Sequence, residues 1–232
     1  MLLLVLTPGI LRAQTKLKVA YPTTVGSMAV IWVAKDAKLF EKYGLDVELI
    51  YVAGSSRIVQ SMLAKDIPIS EIAIPAVIQA DLAGADLVML AGPNHKPGQK
   101  ILVKPDIKRR EDLKGKKIGI TRLGSASDLA VRTALEQFGL SAKDVTMISL
   151  GGIPDILAAM RPGAVHGGIL SPPTSTAARD LGYRPLLHIP DLGREFTFSG
   201  IAARRSFVQN QPNMARAYMA SLTDGAKIYR ED

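Results

Sequence analysis

Strand-like and helix-like segments alternate along nearly the whole chain with connections of a few residues, and this alternation restricts the fold more than any other feature. Residues 16–20 alternate polar and apolar, as a half-buried strand does. Residues 27–43 then read as one helix, capped by Ser27 and stopped by Gly44, with Met28, Ile31, Trp32, Leu39 and Phe40 on its buried side. Residues 45–52 form a second strand with Leu45, Val47, Leu49 and Tyr51 on one face. A helix over 56–65, a strand over 71–74 and a helix from Pro75 to about Gly84 follow, then strands near 87–91 and 101–103. The stretch 105–117 is polar, charged and without an apolar period, and it reads as the beginning of a second lobe. The pattern restarts there: strand 117–121, helix 127–138, strand 145–150, a helix to Met160, strand 165–170 and helix 174–181. Residues 212–229 read as a helix without a stop signal, so the chain is expected to be truncated at its C-terminus. Such alternation predicts an α/β fold with mostly parallel sheets. It has no fixed period, which argues against a solenoid.

Lysine and arginine outnumber aspartate and glutamate by 29 − 21 = 8. The basic residues are spread thinly. The densest runs, Lys108-Arg109-Arg110 and Lys114 with Lys116-Lys117, have no interleaved aromatics for base stacking, so they read as a solvated turn and nucleic acid is not an expected partner. With no cysteine, disulfides, thiolate nucleophiles, cysteine-ligated zinc and a lipidated N-terminal cysteine are excluded. The apolar run Leu2 to Leu6, the breaker pair Pro8-Gly9 and small residues near Ala13 resemble the end of a secretory signal, with cleavage near Ala13-Gln14.

In open parallel sheets, ligands bind beyond the carboxyl ends of the strands, where helix N-termini present unpaired N–H groups. Five turns at such positions are built from glycine, small hydroxyl residues or proline: 22–27, 53–55, 121–125, Gly151-Gly152 and 171–173. Any one of them could merely cap a helix, but together they point to a shared cleft. Ser125 with Asp128 also resembles a capping box, whose N–H groups could hold an anionic head. Neither glycine-rich phosphate signature is present. His95, His166 and His188 share no metal spacing and form no triad motif; His95, between the lobes, is the one to examine for ligand contact. No metal, cofactor or catalytic residue is expected.

The segment 33–48, Val-Ala-Lys-Asp-Ala-Lys-Leu-Phe-Glu-Lys-Tyr-Gly-Leu-Asp-Val-Glu, resembles the "A-x-x-x-G-x-F-x-K-x-G-L-x-V-E" signature of the nitrate/sulfonate/taurine and pyrimidine-precursor (NMT1/THI5-like) binding proteins of ABC importers. Residues 107–120 resemble the family's "I-x-x-x-x-D-L-K-G-K-K-I-G" segment. Gly124-Ser125 with Arg132, Leu135 and Gly139-Leu140 resembles the helix that follows, and 170–173 the proline turn facing the cleft. The likeness runs from Lys16 to the last residue. It implies a type II periplasmic binding protein fold, two α/β lobes with a cleft between them. Residues 15–102 with 200–232 would form a discontinuous first lobe, 103–199 the second, and 1–14 a signal-peptide remnant. The ligand-binding residues it implies are Thr23, Thr24, Gly26, Ser27, Gly54, Ser55, Pro75, Ala76, Gly124, Ser125, Gly152, Ser171 and Pro172. Three departures stand out: Lys38 where the family has glycine, residues 64–68 where an "A-G-x-x-D" turn is common, and His166-Gly167 in place of aspartate-alanine.

The function so implied is that of a monomeric periplasmic protein that captures a small organic or anionic solute and delivers it to an ABC importer permease. Hinges are expected near 100–104 and 199–203. The alternative is an enzyme on the same fold, of the menaquinone-pathway or pyrimidine-synthase-like kind; the latter depends on a cysteine-rich motif that this chain lacks.

Overall fold

The computed structural model describes residues 14–94, 98–193 and 199–231. Residues 1–13 of the expected leader and His95 lie outside them. The chain first forms β1 (Thr15–Tyr21), α1 (Val30–Asp36), α2 (Leu39–Lys42), β2 (Leu45–Tyr51), α3 (Ser55–Leu63), β3 (Ile69–Ala73), α4 (Ile74–Leu82) and β4 (Leu87–Asn94). Next come β5 (Lys100–Val103), β6 (Lys117–Ile120), α5 (Ala126–Gln137), β7 (Thr146–Ser149), α6 (Ile153–Met160), β8 (Gly167–Leu170), α7 (Thr174–Asp180) and β9 (Arg184–His188). Strand β10 (Ser199–Arg204) and helices α8 (Arg205–Asn210) and α9 (Pro212–Glu231) complete it.

These strands make two five-stranded sheets, one per lobe, in the orders β2-β1-β3-β10-β4 and β7-β6-β8-β5-β9. In the first, β1 runs parallel to β2 and β3; in the second, β6 runs parallel to β7 and β8. The expectation of mostly parallel sheets holds only for these halves. Strand β10 is antiparallel to β3 and β4, and β5 is antiparallel to β8 and β9. The reason is topological: β5 and β10 are the strands by which the chain enters each sheet from the other lobe, so they are not formed by a local strand–helix–strand crossover. All four residues of β5 pair within the second sheet, so the expected lobe boundary at 102/103 cuts through a paired strand. The hinge positions 100–104 and 199–203 likewise fall largely on ladder-paired strands. The chain passes from the first sheet to the second after β4 and returns after the 3-10 turn Ile189–Leu192, which packs with the second-lobe core.

The helix expected over 27–43 is broken into a 3-10 turn (Gly26–Met28), α1 and α2. Lys38 sits at the break with φ +54°, left-handed backbone in which an ordinary side chain is strained. On one face of the first sheet, Leu17, Val19, Ile31, Phe40, Ile201 and Tyr218 are buried together, with Phe40 stacked on Tyr218 at 5.7 Å between ring centroids. On the other face, Ile58 and Met62 of α3 pack with Ile72, Val77 and Leu87. Helix α9 is tied to the first lobe by Asp224, whose carboxylate accepts hydrogen bonds from Lys42 Nζ (2.9 Å) and Tyr43 Oη (2.8 Å). In the second lobe Ile118, Ile120, Val131, Leu135, Ile156 and Met160 form the core. Each fully buried side chain of this kind contributes about 1.5–3 kcal/mol. Gly119 lets α6 close onto the sheet, since a Cβ there would lie 2.8 Å from Ile156 Cγ2. Gly167 is required by its own strand partner: a Cβ would lie 2.6 Å from the Leu102 carbonyl oxygen.

Candidate functional site

The parallel strands of both lobes end facing each other, and the turns that follow them line one cavity. From the first lobe come Pro22, Thr23, Val25 and Met28 after β1, Gly54 and Ser55 after β2, and Ala73 at the end of β3. From the second come Thr121, Ser125, Ala126 and Ser127 after β6, Ile153 after β7 and Ser171 after β8, with Gln99 just before β5. The cavity measures about 40 Å³, room for roughly three waters at 10–15 Å³ each. No charged side chain lines it among the described residues.

The second-lobe wall is a hydroxyl cluster at the N-terminus of α5. Thr121 Oγ1 lies 2.9 Å from Ser125 Oγ and 2.7 Å from Ser127 Oγ, and the two serine oxygens are 2.7 Å apart. Ser125 Oγ donates to the Arg122 carbonyl (2.7 Å), and Ser127 Oγ accepts the Thr121 N–H (2.9 Å). The expected capping box does not form: the Asp128 carboxylate accepts the N–H of Gly124, one residue before the N-cap Ser125, at 2.8 Å and is held by Arg132 Nε at 2.8 Å, while Ser125 makes no cap bond. On the first-lobe side Ser55 Oγ accepts the Ala73 N–H at 3.2 Å. Two buried polar atoms in this lining have no partner among the described residues, Thr23 Oγ1 and Gln99 Oε1. An unsatisfied buried polar atom costs about 1–3 kcal/mol unless something fills the site.

The lobes are in contact around this cavity. Arg122 Nε donates to the Ala53 carbonyl across the gap at 2.8 Å. Its side chain lies over Gly54, where a Cβ would come within 2.7 Å of Arg122 Cδ; φ there is +85°, so glycine is required twice over. Val25 and Met28 share an apolar cluster with Ile153 and other second-lobe residues. Tyr51 reaches to Gly152, where a Cβ would lie 2.6 Å from its Oη. Burial in this junction, with smaller contributions from Asp155 and Tyr21, pushes the Tyr51 phenol above its ordinary pKa.

Of the residues expected from the sequence, Thr23, Gly54, Ser55, Ser125 and Ser171 line the cavity. Gly124, Gly152 and Pro172 border the lobe junction, near Gln79, Tyr51 and Gly98 respectively. Thr24, Gly26 and Ser27 do not reach it. The 3-10 turn points Val25 and Met28 inward and leaves these three exposed, with the Gly26 carbonyl accepting from Tyr229 Oη at 3.4 Å. Pro75 and Ala76 are buried in the first turn of α4, and Ala76 belongs to the apolar cluster around Ile58 and Met62. Gln99, Thr121 and Ser127 were missed as lining residues. Ser127 lies between Ser125 and Asp128 of the capping-box pattern and Thr121 begins one of the five turns, whereas nothing local marks Gln99. A larger open groove of about 940 Å³ runs over the first lobe past Lys16, Lys18, Trp32 and Phe207. It draws on one lobe only and contains none of the strand tips. No group of three His, Cys, Asp or Glu side chains among the described residues could hold a metal ion.

Two α/β lobes joined by two crossings, with strand tips meeting in a common cleft, define a periplasmic-binding-protein fold. The profile described as NMT1/THI5 like matches residues 26–232, and the chain belongs to that family. A solved structure from Bordetella bronchiseptica RB50 superposes with a TM-score of 0.87 at 22% identity, covering 95% of this chain and 73% of that one. The periplasmic aliphatic sulphonate binding protein SsuA from Escherichia coli gives a TM-score of 0.73 at 26% identity, over 93% of this chain and 70% of that one. A Brucella abortus (strain 2308) protein whose name assigns it only to binding is 25% identical over 211 residues, 88% of this chain. The chain spans 65% of that relative's length.

Proposed function

We propose that this protein is a solute-binding component of an ABC importer, acting in the periplasm as a monomer and handing a small organic or anionic ligand to a membrane permease without catalysing a reaction. The observation that carries this reading is the interlobe cavity, lined by five turns from two sheets and spanned by the Arg122–Ala53 hydrogen bond. Thr23, Gly54, Ser55, Gln99, Thr121, Ser125, Ser127 and Ser171 are the residues we assign to ligand contact. The lobes would extend over about 15–94 with 199–231 and over 100–193, moving about the two crossings. A ligand bound in the gap favours the closed arrangement, which is the form a permease can distinguish from the empty protein. The similarity to SsuA makes sulfonates one class to try, with nitrate, taurine and pyrimidines as the others suggested by the sequence.

A thermal-shift screen across these classes tests the proposal. A ligand at 100 times its dissociation constant adds about 2.7 kcal/mol of stability. The proposal predicts such a shift, its loss when Ser125 is replaced by leucine, and no chemical change in the ligand. Turnover of a bound compound would favour the enzyme reading instead, and binding indifferent to Ser125 would move the site elsewhere.

A further inference from the structure

We infer that the cavity is built for a compact uncharged molecule bearing a carboxamide-type group, N–H together with C=O, rather than for an oxyanion; this rests on the interlobe cavity being the ligand site. The argument is a count of hydrogens. Thr121, Ser125 and Ser127 bring three hydroxyl hydrogens to four O···O contacts: three among themselves and one from Ser125 to the Arg122 carbonyl. One contact therefore always lacks a proton. A ligand that accepted a hydrogen from this cluster would strip a second contact, leaving more oxygen pairs about 2.7 Å apart with no hydrogen between them. The cluster is thus committed internally and offers lone pairs to the cavity. A ligand N–H directed at it takes up one of those lone pairs without breaking a contact. Gln99 Oε1, buried with the residue only 6% exposed and without a partner among the described residues, is another acceptor on the same lining.

The opposite wall supplies donors. Ser55 Oγ already accepts the Ala73 N–H, so its own hydrogen is free for the cavity, and Thr23 Oγ1 has no partner. A carbonyl oxygen satisfies this side. Acceptors facing donors with no charged side chain in the lining match a neutral group that carries both. Nitrate or a sulfonate would bring several acceptor oxygens, no hydrogen for the cluster, and a charge that no lining cation balances. The small volume limits the molecule to a few heavy atoms in this closed arrangement.

The test is titration calorimetry of the full chain with acetamide and urea at millimolar concentration, set against sodium nitrate and sodium methanesulfonate at matched ionic strength. Acetamide or urea is expected to bind and the two anions are not. Gln99→Met is expected to raise the melting temperature of the empty protein, because it removes an orphaned acceptor, while weakening acetamide binding about tenfold. Thr121→Val is a second variant expected to weaken acetamide by a similar factor. A residue that only supports the fold would not move stability and affinity in opposite directions. Anions that bind with acetamide silent overturn this inference and leave the clamp reading intact. Silence from all four probes also overturns it, and the clamp reading falls with it only if the broader thermal-shift screen is silent too.

Discussion

Lys38→Gly and Lys65→Gly should each stabilise the protein. Among the described residues these are the two non-glycine positions in left-handed backbone, at φ +54° and +68°. Left-handed backbone costs an ordinary residue about 1–2 kcal/mol. Glycine avoids that strain but loses roughly 0.5–1 kcal/mol to its larger unfolded-state entropy. Taken at the middle of both ranges, the balance is a gain of about 0.75 kcal/mol per site. Both side chains are exposed and neither forms an ion pair among the described residues, so little else is lost. Lys38 precedes a helix packed on one face of the first sheet and Lys65 follows a helix packed on the other, so the effects should add. The double variant then gains about 1–2 kcal/mol, roughly 2–8 °C in Tm for a chain of this size. Urea and thermal unfolding followed by circular dichroism measure it, with Lys38→Ala and Lys65→Ala as controls that remove the same side chain but keep a Cβ. Alanine variants as stable as the glycine ones, or glycine variants no more stable than the parent, would refute the reasoning.

Glu71 is buried in the central part of the first sheet, and burial pushes its carboxyl up to about 8 from 4.5. A folded-state pKa raised in this way gives stability that is complete below about pH 4.5 and declines as pH rises towards 8, by about 3 kcal/mol at pH 7. Glu71→Gln should flatten that decline; urea midpoints at pH 5 and pH 8 with equal slopes for parent and variant would contradict it. Gly167→Ala should destabilise by about 1–3 kcal/mol through the clash with the Leu102 carbonyl, read as a lowered urea midpoint. Gly54→Ala should impair closure, because the added Cβ meets Arg122, and so weaken any cleft ligand while leaving each lobe folded. Unchanged affinity, measured by calorimetry, would remove Arg122 from the closing contact.

Much of the fold was legible because β1, β2, α3, α5 and α6 announce themselves by period and by flanking glycine or proline. The antiparallel strands β5 and β10 were not read as such, because antiparallel pairing across a lobe crossing is long-range and leaves no local mark. The helix over 27–43 looked continuous because apolar period survives a one-residue break; the left-handed conformation at Lys38 does not show in hydropathy. The two lysines fall at places where the sequence departs from the family's glycines, so the family pattern carried conformational information that composition did not. For the site, strand-end turns were the right signal but too coarse. A turn such as 22–27 presents some residues to the cavity and others to solvent, and the alternation is set by the 3-10 geometry of Gly26–Met28. Gln99 enters the cavity because a crossing segment brings it there, which only the three-dimensional path reveals.

The absence of cysteine allows two spin labels to be placed without background, for example at Gln60→Cys on the first lobe and Lys143→Cys on the second, both exposed. Pulsed electron–electron resonance then reports the separation of the lobes directly. A cleft-binding protein should show a broad or longer distance distribution when empty that narrows and shortens on adding a ligand found by screening, with the response lost in Ser125→Leu. A ligand that binds while the distribution stays the same, or narrows it equally in Ser125→Leu, would place the solute somewhere other than between the two sheets.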